Sequence, residues 1–317
     1  MIHARAFWTV AAGRGEIRTE ALPEPETGQT LVHTLATGVS RGTEALVFAG
    51  KVPVSQHQMM RAPLMSGGFP FPVKYGYSAV GRADDARRVF VLHPHQDVFL
   101  VPDAMCITIP DTVPTHRAVL AANMETALNL MWDAAPLAGE RMLIIGAGVL
   151  GLLTASLLAR VPGATVTVVD IDPARERYAQ QFGCHFATPA QAPREQELIV
   201  HTSASEAGLR LALTAAAFEG RIVEASWFGD REPVVPLGEA FHARRLRIIS
   251  TQVGAIAAPM RGRRSHAERL ALALELLRDP VYDALLDGPT RFDDMPQAMP
   301  HILAPGGLCH VITYGIK

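Results

Sequence analysis

The stretch RMLIIGAGVLG, residues 141–151, restricts the fold of this chain more than any other feature. A short apolar run ends in a G-x-G-x-x-G pattern (Gly146, Gly148, Gly151), and a second apolar run of helical length follows. That order suits a buried strand turning sharply into a helix. Gly146 permits the tight turn, Gly148 lets a pyrophosphate approach the backbone, and Gly151 lets the helix pack closely on the strand. The unpaired amides of the first helical turn, those of Val149 and Leu150 among them, aim a partial positive charge at the phosphates. About twenty residues on, TVTVVD ends in Asp170, followed by Ile171, where an acid accepts hydrogen bonds from the adenosine ribose. Glycines alone would equally serve a structural turn; the strand, the helix and the downstream acid together mark a dinucleotide site.

Asp170 also separates the two nicotinamide cofactors. A carboxylate suits the ribose hydroxyls of NAD. Against the 2′-phosphate of NADP, like charges about 4 Å apart cost several kcal/mol before screening. Arg175, one turn into the next helix, is the residue that would accommodate such a phosphate; its other readings are a solvated helix position or a ribose contact. NAD is the expected cofactor.

The run from Met142 to Ala159 carries no charge and just reaches the length of a minimal membrane span. Arg141 and Arg160 at its ends, and the strand-like GATVTVVDID beyond it, favour strand, turn and helix instead, so no membrane association is expected. A formal net charge of −2 offers no basic excess for phosphate backbones, which argues against nucleic acid as a partner. The three cysteines, Cys106, Cys184 and Cys309, are far apart and form no C-x-x-C pair, and they read as buried apolar fillers. The opening MIHARAFWTVAAGRGE has no apolar run of signal-peptide length. The expected compartment is cytoplasmic.

Alternation continues after the turn. A helix is predicted over 173–182, a strand over ELIVHTS (197–203), a helix over 205–218, and strands over RIVEASWFG (221–229) and RRLRIISTQVG (244–254). Such βαβ repetition gives a parallel sheet with helices on both faces and a binding crevice at the strand C-termini. Thr202, Ser203, Ala225, Ser226 and Gln252 fall there as cofactor or substrate neighbours, although each hydroxyl would equally cap a helix. The first hundred residues differ. Short β-like runs broken by Pro and Gly, such as ARAFWTV, SAVGRA, RVFVLHP and DVFLVP, predict a compact, mostly antiparallel β domain of barrel type. A helix near 115–134 leads into the nucleotide region, an amphipathic helix covers 265–279, and the β-like GLCHVITYG is expected to return to the first domain.

This order resembles the medium-chain dehydrogenase/reductase superfamily, which includes the alcohol and polyol dehydrogenases, over essentially the whole chain. The resemblance implies an α/β protein with a GroES-like β-barrel catalytic domain (1–123), a Rossmann NAD(H)-binding domain with a doubly wound parallel sheet (124–256), and a return segment (257–317) completing the catalytic domain. ATGVSRGTEALVFAG (36–50) looks like the family's catalytic loop and KYGYSAVGRA (74–83) like its Gly-His-Glu stretch. The Ser-Arg-Gly-Thr-Glu form is similar to a branch containing bacteriochlorophyllide-type dehydrogenases.

The departures from the family pattern concern zinc. Arg41 stands where the first zinc-ligating cysteine belongs, Tyr77 and Ser78 occupy the His-Glu positions, and no third ligand stands near Ala122. The four-cysteine structural lobe is missing, because VFVLHPHQDVFLVP runs from strand to strand through a short turn. Catalytic zinc needs three ligands around an open position. His93 and His95, an i, i+2 pair across Pro94, read as a polar loop or pocket edge. The resemblance therefore implies a zinc-free member with no metal ligands.

In the family a hydroxyl at the Thr43 position relays protons to the substrate oxygen. Tyr77, at the vacated histidine position, would donate to a carbonyl as hydride arrives, or is a barrel aromatic with a satisfied hydroxyl. Glu44 is a base or an anchor of its loop, and Glu125 falls near the expected nicotinamide position or on a solvated helix face. Arg244, Arg245 and Arg247, and Arg261, Arg263 and Arg264, read as solvated surface; the second cluster would alternatively favour an acidic small-molecule substrate. EPVVPLGEAF (232–241) is the apolar, Pro-bounded edge through which a homodimer would pair. The leading expectation is a zinc-independent oxidoreductase moving a hydride between NAD(H) and an alcohol or ketone. The alternatives are an enone or quinone reductase of the same superfamily, against which Asp170 counts, and a non-catalytic nucleotide-binding redox sensor.

Overall fold

The computed structural model describes residues 2–315. Two compact units divide the chain, one comprising Met1–Ala122 and Leu270–Lys317 and the other Asn123–Arg269. The first unit opens with β1 (Ile2–Ala11), β2 (Arg14–Leu22), β3 (Gln29–Val39), α1 (Arg41–Phe48), β4 (Ser66–Gly67), β5 (Val73–Lys74), β6 (Ala79–Ala83), β7 (Arg88–Val91), β8 (Val98–Pro102), β9 (Ile107–Thr108) and α2 (Thr115–Ala118). The second unit follows with α3 (Ala121–Ala134), β10 (Arg141–Ile145), α4 (Val149–Leu158), β11 (Thr165–Val169), α5 (Glu176–Gln181), β12 (His185–Ala187), β13 (Gln196–His201), α6 (Glu206–Ala215), β14 (Ala216–Glu224) and β15 (Arg247–Ser250). The division falls within α7 (His266–Leu276), after which β16 (Leu286–Arg291), α8 (Met295–Ile302) and β17 (Cys309–Thr313) rejoin the first unit.

The first unit is built from two sheets. One runs β2-β1-β5-β4; the other runs β16-β17-β3-β6-β7-β9, with β8 also paired to β3. Neighbours are antiparallel except β16 and β17. Branched and aromatic residues of these short strands meet in one core around Val32, Val89, Val91 and Phe99. A second core joins Phe7, Val39 and Phe48 to Phe292, Met299 and Tyr314 of the return segment. Residues far apart in the chain therefore share one interior.

In the second unit six parallel strands lie in the order β12-β11-β10-β13-β14-β15. The last four residues of β10 and of β11 are buried, as continuous apolar strands covered on both faces must be. The order reverses direction at β10, so the ends of β10, β11 and β13 surround the switch point at which such sheets bind ligands. The uncharged run at 142–159 is thus the strand β10, a turn and the ten-residue α4. Among the described residues no helix is long and apolar enough to cross a membrane.

Several boundaries depart from those expected. The helix assigned to 205–218 ends at Ala215, and Ala216 already pairs with Gln196 in the sheet. Alanine favours helix locally, but here the strand pairing wins. The strand expected over 221–229 stops at Glu224, and that over 244–254 shortens to β15. The helix near 115–134 is two pieces, α2 and α3. The segment 232–241 is not a strand: Leu237–Phe241 is a helical turn, and Pro233 and Pro236 lack the amides a ladder needs. The sheet edge is β15 instead.

Residues 257–269 pack with the second unit rather than with the return segment. Arg269 shows why. It is 1% exposed, and its guanidinium donates to Glu125 Oε1 (3.0 Å), Asn129 Oδ1 (2.5 Å) and the Val253 carbonyl (2.6 Å). Glu125 therefore lies on no solvated face. Burial lifts its carboxyl above the usual range, while Arg269 pulls it back.

Candidate active site

The dinucleotide turn has the geometry its glycines require. Gly146 sits at φ +108°, a region L-residues avoid. A β-carbon on Gly151 would overlap the Gly146 carbonyl oxygen, so only glycine lets α4 approach this closely. Gly148 is exposed and open, and no side chain caps the amides of Val149 and Leu150 behind it. Thr202 Oγ1 donates to the carbonyls of Ile145 (3.1 Å) and Gly146 (3.0 Å), tying the end of β13 to the turn.

Asp170 stands directly beside this turn. Its Oδ2 accepts from the Ala147 amide at 2.7 Å and its Oδ1 from the Asp172 amide at 2.9 Å. Two backbone donors hold a negative charge at the end of β11. Ile171, next to it, is 86% exposed. Arg175 is buried and turned to Asp172 at 3.5 Å, with Tyr178 on its other side. Its charge is engaged inside its own helix rather than presented to a phosphate. Gln252 is exposed, its Oε1 accepting from the Gly254 amide.

The ends of β13 and β14 carry groups that the sequence reading passed over. His201 and Glu224 are register partners on the two strands, with His201 Nδ1 2.6 Å from Glu224 Oε2. His201 Nε2 lies 2.7 Å from Ser203 Oγ, and Ser226 Oγ accepts from the Ala204 amide at 3.0 Å. Ala204 is left-handed at φ +48°, which costs a residue with a β-carbon about 1–2 kcal/mol. The sequence signal was a polar residue, His201 or Glu224, within each of two otherwise apolar runs.

In the first unit, α1 and the chain after β5 bring hydroxyls together. The side chains of Ser40 and Thr43 lie beside the Tyr77 phenol. Burial above all, and then the nearby Glu44, push that phenol up to about 12, against the pull of Ser40 and Thr43. Tyr77 is half-buried, edge-on to Tyr75. Glu44, 4% exposed, is held on both oxygens: Oε1 accepts from the Ser40 amide (2.7 Å) and Oε2 meets His95 Nε2 (2.9 Å). His95 Nδ1 then reaches Thr37 Oγ1 at 2.6 Å. Glu44 thus links the Ser40 amide to His95, and His95 lies inside the domain rather than at a loop or pocket edge. His93 stacks on Phe99 with centroids 3.7 Å apart, and burial pushes its imidazole down to about 3.

Comparison with known proteins places this fold. The family model "Alanine dehydrogenase/PNT, C-terminal domain" matches residues 124–224. A "zinc-type alcohol dehydrogenase-like protein" of Haemophilus influenzae, itself uncharacterized, is 29% identical over 173 residues, 49% of this chain and 50% of that protein. The chain thus spans about half the length of that curated relative. The 2-desacetyl-2-hydroxyethyl bacteriochlorophyllide A dehydrogenase of Cereibacter sphaeroides is 28% identical over 243 residues, 69% of this chain and 71% of that protein. L-idonate 5-dehydrogenase of Escherichia coli superposes with a TM-score of 0.81 over 98% of both chains, at 12% identity. The chain is thus similar to zinc-type alcohol dehydrogenase-like proteins of the medium-chain dehydrogenase/reductase superfamily and shares their fold. Solved structures of this fold hold NADP, NADH or NAD.

Zinc-type members of the superfamily prompt the question of whether this chain's donors fit a metal. They do not. Ser78 Oγ is spent on the Val119 carbonyl, Ala122 has no donor, and a phenol near 12 stays protonated at neutral pH. Arg41 is a fixed cation, although its guanidinium is turned to Gly307, beside Asp287. Among the described residues no three His, Cys, Asp or Glu side chains are grouped to hold a metal ion. The arginine-rich stretches are partly engaged as well: Arg244 pairs with Glu195 and Arg245 with Glu219, while Arg261, Arg263 and Arg264 are exposed.

Proposed function

We propose that this protein is a zinc-independent oxidoreductase of the superfamily, acting on an alcohol/ketone pair with NAD(H). The observation that carries the reading is the Tyr77 phenol, at a position where zinc-dependent relatives need a ligand, with Ser40 and Thr43 beside it. Bound NAD(H) supplies or accepts the hydride. The chain's own part is the proton. A neutral phenol donates to the oxygen of a carbonyl that is gaining negative charge, and Thr43 orients that phenol or passes the proton onward. An alkoxide is far more basic than a phenolate, so donation from Tyr77 runs downhill during carbonyl reduction. Oxidation would need the phenolate, which burial and Glu44 oppose. The cluster therefore favours the reductive direction, in a cytoplasmic setting with a small-molecule substrate.

The test is turnover on a panel of ketones, alcohols and enones, with metal content measured on the same preparation. Ketone reduction with well under one zinc per chain, unchanged by chelator, is the expected result. Stoichiometric zinc would overturn the zinc-free reading, and activity confined to enones would transfer the protein to the enone reductases. Light scattering on that preparation should return twice the chain mass, because β15 ends its sheet with Ile248 exposed and invites pairing with a second copy; a strict monomer would sink the dimer.

NAD is the proposed cofactor because Asp170 is a carboxylate held by two amides while Arg175 is engaged with Asp172. Fluorescence titration should show NADH binding at least about tenfold tighter than NADPH. Asp170→Ala should narrow the gap by removing the ribose acceptor and the repulsive charge together. Equal affinities in the wild-type protein would defeat the assignment.

A further inference from the structure

The hydrogen bonds at the ends of β13 and β14 have one consistent direction. Glu224 accepts twice, from the Ser226 amide on Oε1 (2.7 Å) and from His201 on Oε2 (2.6 Å). In the neutral imidazole His201 then carries its proton on Nδ1, and its Nε2 accepts from the Ser203 hydroxyl at 2.7 Å. Because Ser203 gives its proton to His201, Ser205 Oγ, which accepts from the Gly208 amide (3.0 Å), donates its own to Ser203 Oγ (2.8 Å). Ser203 thus accepts once and donates once within the protein. One lone pair remains, which makes its oxygen an acceptor and nothing else toward a ligand.

We infer that Glu224 and His201 are positioning residues that hold Ser203 Oγ as the acceptor for a hydrogen-bond donor on the nicotinamide half of the cofactor. This rests on the NAD(H) reading above. Asp170 marks the adenosine side of the switch point at β11, and β13 lies across β10 from it. The Ser203 backbone is pressed against the phosphate turn, since a β-carbon on Gly146 would stand 2.9 Å from Ser203 N. The strained Ala204 is braced by Ser226, a local cost of the kind that gathers at ligand sites. The Ser-His-Glu order also resembles the wiring of a serine nucleophile. Gly208 packs directly on Ser203 Oγ and His201 Nε2, leaving no room for a β-carbon beside them.

Glu224→Gln tests the direction of the chain. With its carbonyl oxygen kept on the Ser226 amide, the Gln side chain must donate to His201 Nδ1. The imidazole proton then moves to Nε2 and points at Ser203, whose own proton is displaced toward the ligand. An acceptor becomes a donor facing a donor. NADH affinity should fall about tenfold, and Ser203→Ala, which removes the hydroxyl, should fall similarly. Affinity for ADP, which lacks the nicotinamide half, should stay within about twofold in both variants, a split that simple loss of structure would not produce. Equal weakening of NADH and ADP, or no weakening of NADH, overturns the inference while leaving the cofactor reading intact. Wild-type protein that binds neither ligand overturns the cofactor reading, and the inference with it.

Discussion

Tyr77→Phe should lower ketone reduction about a hundredfold, the lower range for losing a positioned proton donor, while NADH binding is unchanged. The phenol is the group in the Ser40–Thr43–Tyr77 cluster whose ring would fill the same space without its oxygen, so the variant removes chemistry and little else. The loss should fall on kcat, because a donor that matters as negative charge develops on oxygen acts in the transition state more than in substrate binding. The raised phenol also sets the pH behaviour. Burial and Glu44 keep Tyr77 neutral up to about 12, so the reductive rate should show no step near the ordinary tyrosine value of about 10. Its burial contributes stability present below pH 10 and lost as the pH rises through 12. Unchanged turnover in Tyr77→Phe would return the ring to a packing role and leave Thr43 and substrate placement as the mechanism.

Glu44→Ala should destabilise the protein by about 3 kcal/mol, the cost of removing one partner from a buried pair. The Ser40 amide loses its acceptor and His95, 1% exposed, loses its partner on Nε2. Denaturant unfolding would measure the loss. Glu44→Gln keeps the shape and a polar end, and should lose less stability and retain turnover. If Glu44 were the reacting base, the pattern would invert: Glu44→Gln would fold as well as wild type and fail in turnover. The two variants together therefore separate anchoring from proton abstraction.

Much of the second unit was readable from residues 141–170 alone. A short apolar run, a glycine forced to positive φ and an acid at the end of the next strand are local requirements of a strand, a turn and a phosphate. Short-range sterics decide such features, and neighbours in sequence are enough to express them. What Glu44 bonds to was not readable in that way. Its partner His95 is 51 residues away, and the pair exists because the chain between them folds both groups into one desolvated interior, where an unpartnered acceptor would be costly. The same holds for His201 and Glu224, joined by strand register rather than by proximity in sequence. Ala216 makes the point from the other side: its local preference is helical, yet pairing with Gln196 places it in a strand. Local sterics wrote the cofactor turn into the sequence, whereas burial and strand register, which act between distant residues, chose the partners of Glu44, His201 and Arg269.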